Sequence, residues 1–186
     1  MGGQKTRRAA LCAVAAVLMV SSAPLHAEER SGCPLGDSAV PARVRTLSPP
    51  LQTALHDGIR RSAQLARLVS RIDESDGLVY LEAGGLELQG AGRLLGGLSH
   101  SVVVGPNFRL LRIVVWRAPG DQTIATIAHE LQHALEVLDA PEAVDAKSVG
   151  HLYDRIGFRV RSGVYETDAA QRAGDRVRTE LSRCRS

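Results

Sequence analysis

The sequence predicts an α+β fold in which a small antiparallel or mixed sheet packs on helices. Two patterns carry that expectation. Leu51, Leu55, Ile59, Ser62, Leu65, Ala66, Val69 and Ile72 recur at three- and four-residue steps, the period of a helix with one buried face. Leu78–Glu82, Ser101–Val104 and Phe108–Trp116 are instead short runs rich in Leu, Val and Ile, bounded by Gly, Pro, Asp or Asn, as strands are. At 186 residues the chain allows one domain, and with aromatics at only 3% the core must come from Leu, Val, Ile and Ala.

The chain begins with Lys5, Arg7 and Arg8 ahead of an apolar run, Ala9 to Val20, too short for a comfortable membrane span. Small residues Ser21-Ser22-Ala23 follow. Residues 1–27 therefore read as a signal peptide, cut between Ala27 and Glu28, which makes 28–186 a secreted or periplasmic domain with no stable membrane anchor. Cys12 leaves with the leader. Cys33 and Cys184 remain, an even number in an oxidising compartment, and are expected to form a disulfide joining the two ends. On the chain-entropy account a loop of that length is worth about 5 kcal/mol. Residues 28–47, with Gly, Pro, Ser and Asp in no clear period, read as an N-terminal arm outside the core.

Ser48-Pro49-Pro50 marks a helix start, because proline in the first turn removes only an N–H that has no helical partner. That helix is expected to run to between Asp73 and Gly77 and to pack its apolar face on the sheet. After the strand Leu78–Glu82, glycines 90, 92, 96 and 97 match neither phosphate-loop pattern and read as turns or bulges between strand pieces. Ser101–Val104 and Phe108–Trp116 flank Gly105-Pro106-Asn107 and should form a hairpin. Asp121 is the expected N-cap of a helix reaching Leu138 or Asp139. A further helix is expected over Glu142 to Ile156, stopped by Gly157 in the left-handed conformation. Phe158–Arg161 alternates as an extended piece, and Ala169, Ala170, Ala173, Val177 and Leu181 mark a last helix from Tyr165 onward.

The strongest chemical signal is His129-Glu130-Leu131-Gln132-His133, an H-E-x-x-H pattern inside the helix that starts near Asp121. Positions i and i+4 lie one turn apart on one helix face, so His129 and His133 can offer ring nitrogens to one Zn²⁺ at about 2.0–2.1 Å. Glu130 is then placed to act as general base on a metal-activated water, the chemistry of peptide hydrolysis. The formal net charge of +3 includes the basic leader, and no basic run is interleaved with aromatics, so nucleic-acid binding is not expected. A peptide or protein substrate is.

With a strand hairpin feeding it and more helix behind, the motif resembles the catalytic core of the zincin (HExxH) metallopeptidases. The resemblance implies a zinc peptidase that holds an extended substrate along an edge strand, for which Val102–Val104 or Ile113–Trp116 are candidates. Two family patterns are not met. Where metzincins place glycine and a third histidine, this chain has Glu136 and Asp139, and no E-x-x-x-D of the thermolysin-like type occurs within 142–166. The chain is closest to a small gluzincin-like protein. A catalytic zinc needs a third protein ligand, and Glu166, expected to open a separate helix after the 161–163 break, is the favoured residue, with His151, Glu136 and Asp139 as rivals. Tyr165, His151 and Tyr153 are candidate helpers that polarise the carbonyl. An inactive zincin-like binding module and an amidase acting on cell-wall peptides stay open as alternative functions, and the oligomeric state is not indicated.

Overall fold

Strong alternation in two strands sets the architecture. Gly77, Val79 and Leu81 of β2 (Gly77–Ala83) and Arg109, Leu111, Ile113 and Val115 of β6 (Arg109–Val115) point to one face and are buried. On the other face Arg112 and Glu82 form an exposed ion pair at 2.7 Å. The helices cover the fully buried face, while the second face, which also carries Leu78, Tyr80, Leu110 and Val114, is partly exposed. The structure, a computed structural model, describes residues 40–84, 86–87, 93–94, 96–116, 118, 120–161 and 163–184. All of them fall in one compact unit, Ser31–Ser186. The predicted signal peptide and Cys33 lie outside the described residues, so the Cys33–Cys184 bridge stays an expectation.

Among the described residues the fold is mixed α+β, with five helices and a four-stranded mixed sheet in the order β1-β2-β6-β5. β1 (Val44–Thr46) runs parallel to β2, β2 runs parallel to β6, and β5 (Gly96–Val104) closes the edge antiparallel to β6. The short pairs β3 (Leu86–Glu87) with β4 (Arg93–Leu94), and β7 (Phe158–Arg161) with β8 (Val164–Glu166), stand apart from this sheet. The helices are α1 (Pro49–Arg61), α2 (Ala63–Asp73), α3 (Asp121–Leu138), α4 (Ala146–Ile156) and α5 (Asp168–Arg183). α3 is buried on nearly every side, from Ile124 and Ile127 to Leu131 and Leu135, because sheet and helices enclose it. Each such side chain contributes about 1.5–3 kcal/mol by leaving water. No helix among the described residues is long and apolar enough to cross a membrane.

Several expectations need correction. Val44 is buried and the end of the supposed N-terminal arm is strand β1 of the sheet. The single helix expected over 49–73 is two helices, broken at Ser62, whose backbone is extended (φ −132°, ψ 112°). Ser62 Oγ accepts from Leu65 N at 3.0 Å and donates to Glu180 at 2.6 Å, so the residue caps α2 rather than continuing α1. Gly120, not Asp121, is the N-cap of α3, with φ +61° in the region that favours glycine. α4 starts at Ala146, four residues later than expected, because Asp145 and Ser148 form a capping box. Gly157 is extended, not left-handed. It is glycine because a Cβ there would lie 2.5 Å from the Glu166 carbonyl oxygen.

The C-terminus of α3 is held from the sheet. Arg109, buried on β6, donates to the carbonyls of Val137 (3.0 Å), Leu138 (2.6 Å) and Ala140 (3.0 Å), and its Nε and Nη2 grip Asp76 at 2.9 Å each. The Val137 and Ala140 carbonyls also accept from the N–H groups of Ala140 and Ala143, so the Arg109 side chain adds to the turn that ends α3, caps the Leu138 carbonyl and fixes the helix end against β6.

Candidate metal centre

The helical spacing of His129 and His133 puts their rings on one face of α3, centroids 5.0 Å apart and nearly perpendicular. Opposite that face, β7 and β8 form a hairpin turned by Gly163 (φ +70°), and β8 ends on Glu166. Glu166 Oε1 lies 3.3 Å from His129 Nε2 and 3.3 Å from His133 Nε2. The three donor atoms all fall within 4.8 Å of one another. Charge-assisted N–H···O bonds run shorter, about 2.7–2.9 Å. Four ligands about 2.0–2.1 Å from a tetrahedral centre stand about 3.3–3.4 Å apart, and both Glu166 distances match that edge. This group could hold a metal ion.

Glu130, next to His129 on α3, faces the edge strand β5. Its side chain is 4% exposed, Oε2 has no hydrogen-bond partner, and a Leu98 backbone hydrogen bond reaches the carboxylate. Burial pushes the carboxyl up to about 7, with Glu166 adding and His133 and Leu98 opposing. A base with a pKa near neutrality can both take and return a proton. Gly96 makes room for it: a Cβ there would come within 2.7 Å of Glu130 Oε1.

No family model, curated protein or solved structure matches the chain. The functional reading therefore rests on the site.

Around His133 the support is dense. Nδ1 lies 2.8 Å from Glu136 Oε2, and the other Glu136 oxygen accepts from Thr167 Oγ at 2.7 Å. Tyr153, buried, donates its hydroxyl to the His133 carbonyl at 3.2 Å and sets its ring edge-on to the imidazole. Burial alone would lower His133, but Glu136 and Glu166 outweigh it and raise the imidazole to about 9. Burial keeps His129 below its ordinary value, Glu166 opposing. For Glu166 itself the upward pull of burial is overcome by His133, His129 and the Thr167 N–H, which leave the carboxyl lowered.

Of the residues singled out from the sequence, His129, His133 and Glu166 are brought together and Glu130 lies beside them. Glu166 reaches the group from strand β8, not from a helix as expected, since Thr167 is the N-cap of α5. Asp139 is exposed in an ion pair with Arg71, and His151 is exposed on α4, so neither joins the group. Tyr153 is committed to the α3 backbone. Tyr165 alternates away from Glu166 on β8, stacks on Tyr153 and accepts a 2.8 Å hydrogen bond from Arg159. Glu136, a rival for third ligand, is not one of the three grouped donors but holds His133 instead, while Thr167, Gly96 and Leu98 were not anticipated as parts of the site.

Proposed function

We propose that the protein is a zinc-dependent, zincin-like peptidase, and the observation that carries this reading is Glu166 Oε1 standing 3.3 Å from both histidine Nε2 atoms on the H-E-x-x-H helix. His129, His133 and Glu166 would hold one zinc ion, two neutral nitrogens and a carboxylate being a donor set suited to catalytic zinc with an open fourth position. Such an ion supplies a Lewis acid for the scissile carbonyl and water of lowered pKa. Glu130 takes the proton of the attacking water and passes it to the leaving amine. Its unpartnered Oε2 is the free acceptor for that role, while Leu98 steadies the carboxylate.

An extended peptide would add to β5, the strand at the edge of the sheet. Of the two segments considered for this, Val102–Val104 lies on that edge strand, whereas Ile113–Val115 is in β6, paired on both sides by β2 and β5. The domain would work outside the cytoplasm, as its leader implies. The test is metal analysis of the purified chain, followed by a chelator-sensitive assay on a peptide library. The parent should carry one zinc and cleave; Glu130→Gln should keep the zinc and lose turnover by about 10²–10⁴-fold. Zinc retained with no cleavage in the parent would favour the binding-module reading, and cleavage confined to cell-wall peptides would favour the amidase.

A further inference from the structure

Glu136 is 9% exposed, and both of its oxygens are engaged in different directions. A buried carboxylate left without partners would be costly, but a single partner would be enough to relieve that. This one joins two elements that are remote in sequence. Oε2 receives the Nδ1 side of His133, one helical turn back on α3, and Oε1 receives the Thr167 hydroxyl, which belongs to the start of α5. Thr167 Oγ also accepts from Ala170 N at 3.1 Å as the α5 cap, so its hydrogen is directed at Glu136. The Thr167 N–H, in turn, donates to Glu166 Oε1 at 2.9 Å.

We propose that Glu136 is a positioning residue that aims two of the three metal-binding side chains at once. Through Nδ1 it fixes the His133 tautomer that presents Nε2 to the centre, and through Thr167 it sets the backbone from which Glu166 projects. The third ligand sits on a short hairpin apart from the sheet, and the Glu136–Thr167 contact is a direct side-chain tie between that arm and α3. This inference rests on the metal reading above and adds to it a residue that touches no metal.

The experiment uses the full chain and reads zinc affinity by chelator competition, the visible spectrum of the Co²⁺-substituted protein, and the thermal midpoint of the metal-free form. Parent and His129→Ala come first: a parent that binds neither zinc nor cobalt overturns the metal reading, and this inference with it. Given a parent that binds, Glu136→Ala should lose about 10–100-fold in zinc affinity and shift the cobalt bands. Parent affinity together with an unchanged spectrum would overturn the positioning role alone. Glu136→Gln, equal in size, keeps the question open to test if the alanine variant does not fold. The amide puts an NH₂ where one of the two carboxylate oxygens accepts, so either His133 or Thr167 loses its acceptor; the cobalt spectrum should also change, and an unchanged one counts against the proposal. Thr167→Ser should keep parent affinity. Thr167→Val should weaken it, and adding Glu136→Ala should cost less than the two separate effects combined, because both cut the same chain; full additivity would show that Thr167 acts only as a helix cap.

Discussion

Gly96→Ala tests the placement of Glu130, the proposed general base, without altering any of the three proposed metal ligands. The added methyl would lie 2.7 Å from Glu130 Oε1, 2.9 Å from Glu130 Cγ and 2.9 Å from Thr126 Cγ2. Ordinary contact begins near 3.4 Å, so the glutamate must move by roughly 0.5–0.7 Å or the strand must back away by the same amount. Glu130 cannot swing into water, since it is 4% exposed and tied to the Leu98 backbone. A misplacement of about 1 Å at a reacting group can cost about 10²-fold, so kcat/KM for a peptide substrate should fall about 10–100-fold. His129 and His133 lie away from the new methyl, and the zinc content should stay at one. Overpacking should also lower stability by about 1–3 kcal/mol. The control is Gly150→Ala on α4, where a Cβ meets nothing within 4 Å; it should leave activity unchanged and raise stability by about 0.5–1 kcal/mol. Parent-like turnover in Gly96→Ala, or loss of zinc from it, would refute the reasoning.

Two other perturbations separate the site from its scaffold. In side-by-side zinc titrations Glu166→Ala should lose tight binding while His151→Ala, altered on an exposed face of α4, should titrate like the parent; the reverse ranking would remove Glu166 from the site. Arg109→Met should cost about 1–3 kcal/mol in urea unfolding, because it leaves the buried Leu138 carbonyl without its donor and removes the bidentate contact to the half-exposed Asp76. The same pair predicts an acid limb. The Arg109 hydrogen bonds, outweighing burial, lower Asp76 from its ordinary 3.8, so its contribution is complete above that value and is lost as pH falls through the lower folded value. Asp76→Asn should therefore reduce stability at neutral pH and flatten its decline in acid, and an unaltered pH profile would count against the assignment.

The elements legible in the sequence are those whose signal is local and periodic. The strand at 78–82, the turn at Gly105-Pro106-Asn107 with the strand after it, and the helix of the H-E-x-x-H motif lie within a residue or two of where their patterns put them, whereas β5 begins at Gly96, five residues before Ser101, and takes in two glycines read as turns or bulges. Three of the errors have a common cause in contacts made across the chain. Ser62 reads as one more small residue on an apolar helix face until Glu180, 118 positions away, accepts its hydroxyl. Val44–Thr46 lacks the length and alternation of a convincing strand, and becomes one because β2 offers a parallel edge. Gly157 was assigned the commonest use of a terminal glycine, whereas its role is to let the Glu166 carbonyl approach.

The same division runs through the site. His129, Glu130 and His133 are readable because one helical turn fixes their relation, whatever the rest of the fold does. Glu166 was favoured as the start of a separate helix after the 161–163 break, and that setting was misjudged: a strand end delivers the carboxylate to a point equidistant from both imidazoles. Glu136 shows the limit most clearly. Along α3 its distance from His129 argues against a shared tetrahedron, and among the described residues it is indeed not in the group. Distance along a helix axis does not govern what a carboxylate does for the ring one turn behind it. Three residues after His133 is near enough to hold Nδ1, and only the folded chain brings Thr167 to the other oxygen. A residue that helical geometry disfavours as a ligand is thereby placed by that same geometry to hold the His133 ring.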